Sequence, residues 1–138
     1  RQRQMCIRDR CSTCIVCDAI EDNMNRYLHT FFHLYQNDSE FRKHFAQSKG
    51  VCLPHAVQLL KLAPLELPSR ELSAFADLIC NLETEAFDRI QGDVSWFIKK
   101  FDYRFQAEPW KDSRDAVERS VNKLRGWCVG KEPNPEEK

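Results

Sequence analysis

From Leu72 to Phe101 apolar side chains return every three or four residues without a break: Leu72, Phe75, Ile79, Leu82, Ala86, Ile90, Val94, Phe97 and Phe101. A strand alternates with period two, so only a helix gathers this set on one stripe. A helix of about 30 residues is on the order of 45 Å long at 1.5 Å per residue. An element of that length favours an all-α chain whose other helices pack along it. Ser69 is placed to cap its start. Gly92, inside it, costs about 1 kcal/mol relative to alanine and marks a candidate bend.

The remaining periodic segments fit that frame. Ile20, Met24, Tyr27, Leu28, Phe31 and Tyr35 predict a helix over roughly 16–36 with those residues on its apolar face. Asn37-Asp38-Ser39 breaks it and offers an N-cap to a short second helix with Phe41 and Phe45 on its buried edge. Gly50 is expected to end that helix in the left-handed conformation. A third helix starts at Leu53 or Pro54, driven into the core by Ala56, Val57, Leu59, Leu60 and Leu62. Pro64 and Pro68 then bracket a loop. After a turn over 105–109, Asp112 or Ser113 caps a last helix with Val117, Val121 and Leu124 inward, closed by Gly126. No strand pattern or internal repeat is present. The expected fold is an all-α antiparallel bundle of about five helices, with one long helix and a metal knuckle at one end.

The chain has 138 residues, 21 basic and 21 acidic. A zero total gives no long-range field to draw in nucleic acid or an anionic membrane. No apolar run is long enough to span a bilayer, and no leader-like apolar segment opens the chain. The first ten residues resemble translated sequencing-adapter text, so residues 1–10 are set aside from the fold. The expected domain covers 11–130. Residues 131–138, charged and proline-containing, are expected to be a disordered tail. Seven cysteines is an odd number, which does not suit a fully paired disulfide framework. Clustered Cys and His point instead to thiolate metal ligation in a reducing cytoplasm.

The ligand candidates are Cys14, Cys17, Cys52 and His55, in the knuckles Cys-Ile-Val-Cys and Cys-Leu-Pro-His with 34 residues between them. Ligands three residues apart on a first helical turn face the same way. A helix out and a helix back would return the second knuckle to the first. Three thiolates and a neutral imidazole around Zn²⁺ leave a net charge of about −1, which two helix N-termini, each about half a positive charge, would offset. Four protein ligands close the coordination shell and leave no position for a catalytic water, which favours a structural zinc. Two other readings stay open: reduced cysteines packed as small apolar groups, and a redox disulfide. Cys11, Cys14 and Cys17, with Cys52, could alternatively hold a [4Fe–4S] cluster.

Other residues are less specific. His29 and His33 are four apart on the first helix but lack the Glu of a His-Glu-x-x-His motif, and they read as an exposed polar face, as does His44. Cys80 reads as a buried core thiol and Cys128 as a surface thiol. No carboxylate pair, phosphate-cradling glycine loop or Ser/His/Asp set is present. Trp96, Phe97, Phe101, Tyr103, Phe105 and Trp110 interleave with Lys99, Lys100 and Arg104. This block reads as core with its basic side chains pointing outward, or as a stacking surface for single-stranded nucleic acid or a peptide.

Cys14-Ile-Val-Cys17, Arg26-Tyr27, Glu40-Phe41-Arg42 and Lys49-Gly50-Val51-Cys52-Leu53-Pro54-His55 resemble a bacterial group frequent in Firmicutes, the domain of unknown function 6062 family. The resemblance continues through Trp96–Phe105 and Glu108-Pro109-Trp110. It implies a small, helical, cytoplasmic Cys/His protein whose motif positions fall on Cys14, Cys17, Cys52 and His55, and it supplies no activity. The expected function is therefore a non-enzymatic, zinc-stabilised interaction or regulatory module with a protein partner. A zinc-linked thiol switch at Cys14 and Cys17 is the alternative, and peptide or single-strand binding through 96–110 a further one. A membrane role is not expected.

Overall fold

A computed structural model describes residues 14–126, apart from the Cys17 side chain. Residues 1–10, Cys11, Cys128 and residues 131–138 lie outside the described residues. All the regular structure described is helical: α1 (Ile15–Asn37), α2 (Ser39–Ala46), α3 (Leu53–Glu66), α4 (Ser69–Lys99) and α5 (Ala116–Arg125), with 3₁₀ turns at Tyr103–Phe105 and Lys111–Ser113. The chain divides into two compact units between Arg42 and Lys43.

In the first unit Asp38 does two jobs. Its N–H donates to the Leu34 carbonyl and closes α1, while its carboxylate accepts from the N–H groups of Glu40 (2.8 Å) and Phe41 (3.1 Å) to open α2. The tight reversal brings Phe41 edge-on to Phe31 at 5.5 Å between ring centres. It also sets the Arg42 guanidinium 4.6 Å from the centre of the Tyr35 ring, with Nε donating to the Tyr35 carbonyl. The buried stripe of α1 is Leu28, Phe32 and Tyr35. This differs from the expected face: Phe32 is 0 % exposed, whereas Ile20 and Tyr27 are 60 % and 70 % exposed. Phe31 and Phe32 both lie at helical spacing from Tyr35, and periodicity alone does not choose between neighbouring stripes.

In the second unit α3, α4 and α5 pack against one another, and the turn at Lys111–Ser113 packs on α4. Only Leu67 and Pro68 separate α3 from α4. The buried side chains include Ala56, Leu59 and Ala63 on α3, and Phe75, Ile79, Leu82, Ala86 and Ile90 on α4. Burying a side chain such as Phe75 or Ile79 contributes about 1.5–3 kcal/mol. On α5 the fully buried residue is Ala116, which allows close approach; Val117 and Leu124, expected inward, are about half exposed.

Several boundaries differ from expectation. Pro64 lies inside α3, in its last turns, where one lost N–H bond is tolerated near the end of the element. Pro68, not Ser69, is the N-cap of α4; its fixed φ, here −59°, suits a helix entry, and no side chain caps that end. Gly50 does take a left-handed φ of +72°, but in the loop after α2, which ends at Ala46. Asp115 precedes α5, whose end is closed by Gly126 at φ +87° as expected. Cys80 is exposed on α4, one residue off the buried stripe.

Gly92 lies within the unbroken α4, and a Cβ built there meets nothing within 4 Å. Gly92→Ala is expected to raise stability by about 1 kcal/mol, read as a higher urea midpoint, since alanine reduces backbone freedom in the unfolded chain at no steric cost. A lower midpoint would mean that the glycine is needed for a bend.

Candidate metal centre

Cys52 is the N-cap of α3, with extended backbone at φ −72° and ψ 154°. Leu53 and Pro54 fill the first turn, and proline loses nothing where its N–H would have no intrahelical acceptor. His55 follows three residues after the cap. Side chains at these two positions lean toward each other, the geometry that capping boxes use. The Cys52 Sγ and His55 Nδ1 are 2.9 Å apart and partly buried. A soft sulfur and a borderline nitrogen thus stand side by side at the positive end of a helix.

The loop that delivers Cys52 is built on a buried ion pair. Lys123 of α5 donates to Glu83 of α4 at 2.9 Å, the two side chains being 9 % and 11 % exposed. The same Lys123 ammonium donates to the Val51 carbonyl. Glu83 Oε2 is buried and accepts no hydrogen bond. Gly50 passes directly over this pair: a Cβ there would stand 2.8 Å from Glu83 Oε1 and 3.2 Å from Lys123 Nζ. The required φ and the required closeness both select glycine. On its far side the Cys52 sulfur is 3.7 Å from where a Cβ on Gly126 would stand, so the corner lies beside the end of α5.

Cys14 is the N-cap of α1, exposed, with its carbonyl accepting from the Asp18 N–H. Both knuckles therefore open helices, as the spacing predicts. Cys14 and Cys17 belong to the first unit, Cys52 and His55 to the second, and the Cys17 side chain lies outside the described residues. Among the described residues no group of three or more His, Cys, Asp or Glu side chains is assembled to hold a metal. What the structure brings together is the pair Cys52–His55, a sulfur and an imidazole nitrogen, two donor types that zinc accepts. Cys11, the extra thiol of the iron–sulfur alternative, is outside the described residues. His29, His33 and His44 are exposed on α1 and α2.

The family described as "Family of unknown function (DUF6062)" matches residues 1–131 of this chain. The chain belongs to that family. The match takes in both knuckles and the aromatic block, and the family's description assigns no chemistry to them. No curated protein and no solved structure matches the chain. No helix among the described residues is long and apolar enough to cross a membrane.

The aromatic block departs from expectation in two ways: Phe101 and Tyr103, expected in the core, are 72 % and 80 % exposed, and one basic residue is buried. Lys100, expected to point outward, is 5 % exposed. Its ammonium donates to the carbonyls of Phe105 (2.8 Å), Gln106 (2.9 Å) and Glu108 (2.6 Å) and lies 5.2 Å from the centre of the Trp110 ring. Around it Phe97 contacts Phe101 and Trp110, Trp96 meets Phe105 edge-on, and Trp96 Nε1 donates to the Pro109 carbonyl. Asp102 caps the first 3₁₀ turn. Hydrogen bonds from the Arg104 side chain and then its backbone N–H hold the Asp102 carboxyl below the usual carboxylate range. The signal that sequence reading passed over is a lysine at the end of a long helix followed at once by a tight turn, where carbonyls lack helical partners.

Proposed function

We propose that the chain is a zinc-stabilised helical domain, with Cys14, Cys17, Cys52 and His55 as ligands, acting as a non-enzymatic interaction or regulatory module. The observation that carries this reading is the Cys52–His55 contact at the start of α3. It is supported by the placing of Cys14 at the matching position of α1. Four such ligands would fill the zinc coordination shell, so the metal would supply folding energy and no open site for chemistry. A protein partner is favoured over single-stranded nucleic acid by the state of the aromatic block. Its tryptophans are engaged with neighbouring rings and Lys100 is consumed internally, so bases would have to displace packed contacts to reach the tryptophans, and only Phe101 and Tyr103 of the block's rings are largely exposed.

Protein purified without added metal is expected to carry one zinc per chain by elemental analysis. Cys52→Ala should lose most of it and melt at lower temperature, because structural zinc binding is coupled to folding. Full zinc retention with an unchanged melting curve would refute the assignment. Iron and acid-labile sulfide in place of zinc would transfer it to the cluster alternative with Cys11.

A further inference from the structure

The second unit carries an elongated groove whose lining is far more basic than the balanced composition of the chain. It consists of two adjoining depressions of about 440 and 390 Å³ that share Lys49, Arg89 and Arg119 as walls. Either volume falls in the usual range for a small-molecule site. One arm is charged, with Lys111 and Arg114 in its lining; the lining of the other includes Val51, Cys52 and Ile90.

The cations fall into two groups. Arg119 is occupied: it bonds Asp93 (2.9 Å), Asp115 (3.0 Å) and the Asp112 carbonyl. Burial works against its charge, and the hydrogen bonds to Asp93 and Asp115 outweigh that and raise its pKa. Lys123 is likewise held by Glu83 and Val51. Lys49, Arg89 and Arg114 are exposed and form no ion pair with a described residue, and Lys111 makes only a cation–π contact, 4.5 Å from the centre of the Trp96 ring. Against these four stand the Asp112 carboxylate and the one negative charge that Asp93 and Asp115 leave after sharing Arg119, so the cations are still in excess. Lys111 also holds a left-handed φ of +52°, uncommon for a residue other than glycine and of the kind found at ligand sites.

We infer that this groove is a binding site for a small phosphorylated ligand, its diphosphate held by Arg89, Arg114, Lys49 and Lys111 and its less polar part lying toward Val51 and Ile90. Paired guanidinium forks match phosphate oxygens bidentately, and two ammonium groups add point charges. A phosphate ligand would use cations that form no ion pair in the described fold, and the Asp93–Arg119–Asp115 set forms a wall beside them. The site does not depend on the zinc reading, although its apolar arm reaches Cys52.

Isothermal titration of the full-length, metal-replete protein with inorganic pyrophosphate, and separately with ADP, at low salt tests it. Saturable one-to-one binding of pyrophosphate is expected, weakened about tenfold by Arg89→Ala and again by Arg114→Ala, and weakened by added salt. Arg70→Ala, at an exposed residue outside the groove, should leave it unchanged. ADP should bind more tightly than pyrophosphate; equal or weaker binding would remove the apolar arm from the site. Absence of saturable binding by both probes, or equal loss in the Arg70 variant, would overturn the proposal. Zinc content and melting temperature of the Arg89 and Arg114 variants should match the parent, which separates this outcome from failure of the metal site.

Discussion

Lys100→Met is expected to destabilise the protein by about 3 kcal/mol, a fall of about 10 °C in melting temperature for a domain of this size. The substitution keeps the length and apolar stem of the side chain and removes the ammonium. Three carbonyls, those of Phe105, Gln106 and Glu108, then lose their shared donor. Each hydrogen bond from a charged group contributes about 1.5–3 kcal/mol, but Gln106 and Glu108 are exposed and water can reach part of what is lost. That recovery is why the expected cost is nearer one such bond or two than three. Because the turn holds Trp110 against Phe97 and the Pro109 carbonyl against Trp96, tryptophan emission should shift to the red before global unfolding. Lys100→Arg should not restore the parent, since a planar fork cannot aim at three converging carbonyls as a tetrahedral ammonium does. An unchanged urea midpoint and emission spectrum for Lys100→Met would show that the turn is held by its rings alone.

Glu83→Ala is expected to cost about 3–5 kcal/mol, the range for breaking a buried ion pair by deleting one partner. Lys123 would remain, 9 % exposed, with its charge answered only by the Val51 carbonyl. The double variant Glu83→Leu with Lys123→Met should recover more than half of that loss, because two apolar groups replace a pair whose desolvation is itself costly and one of whose oxygens is unsatisfied. It should not recover the order of the loop, since Val51 loses its donor. Urea midpoints for Glu83→Leu, Lys123→Met and the double variant give the coupling between the positions. Additive losses would mean that the pair contributes nothing as a pair. Gly50→Ala belongs to the same test: it imposes both a left-handed backbone on alanine and a clash with Glu83 Oε1, and its cost should shrink where Glu83 is already absent.

Much of the fold is legible in local patterns. The stripe from Phe75 to Ile90 predicts α4 because each step lands on the same face and the neighbouring helices cover it. Asp38 is readable because an acidic residue between two periodic segments can serve both ends. What is not legible depends on partners distant in sequence. Phe31 and Phe32 are both compatible with the pattern of α1, and only the packed structure decides that Phe32 is buried. Cys80 stands one position from Ile79, and a step of one turns a side chain by about 100° on a helix, enough to expose it. Lys100, Glu83 and Lys123 read as three more charges in a charged chain. Their burial follows from carbonyls and a carboxylate brought from elsewhere, which no local period encodes. The candidate site divides in the same way. Cys52 and His55 are visible as a knuckle because their contact is local, while Arg89 and Arg114 come together only through the packing around α5.

The bond from Lys123 to Val51 spans most of the second unit, the two residues being 72 positions apart. A chain leaving the ribosome makes the corner at Cys52 and His55 long before it makes the side chain that fastens it. Until α5 emerges, the preceding loop has no Lys123 ammonium to hold its carbonyl, and Glu83 lacks the counter-ion it has in the fold. The nascent protein therefore carries an unlatched thiol for the 72 positions of synthesis that separate Val51 from its latch.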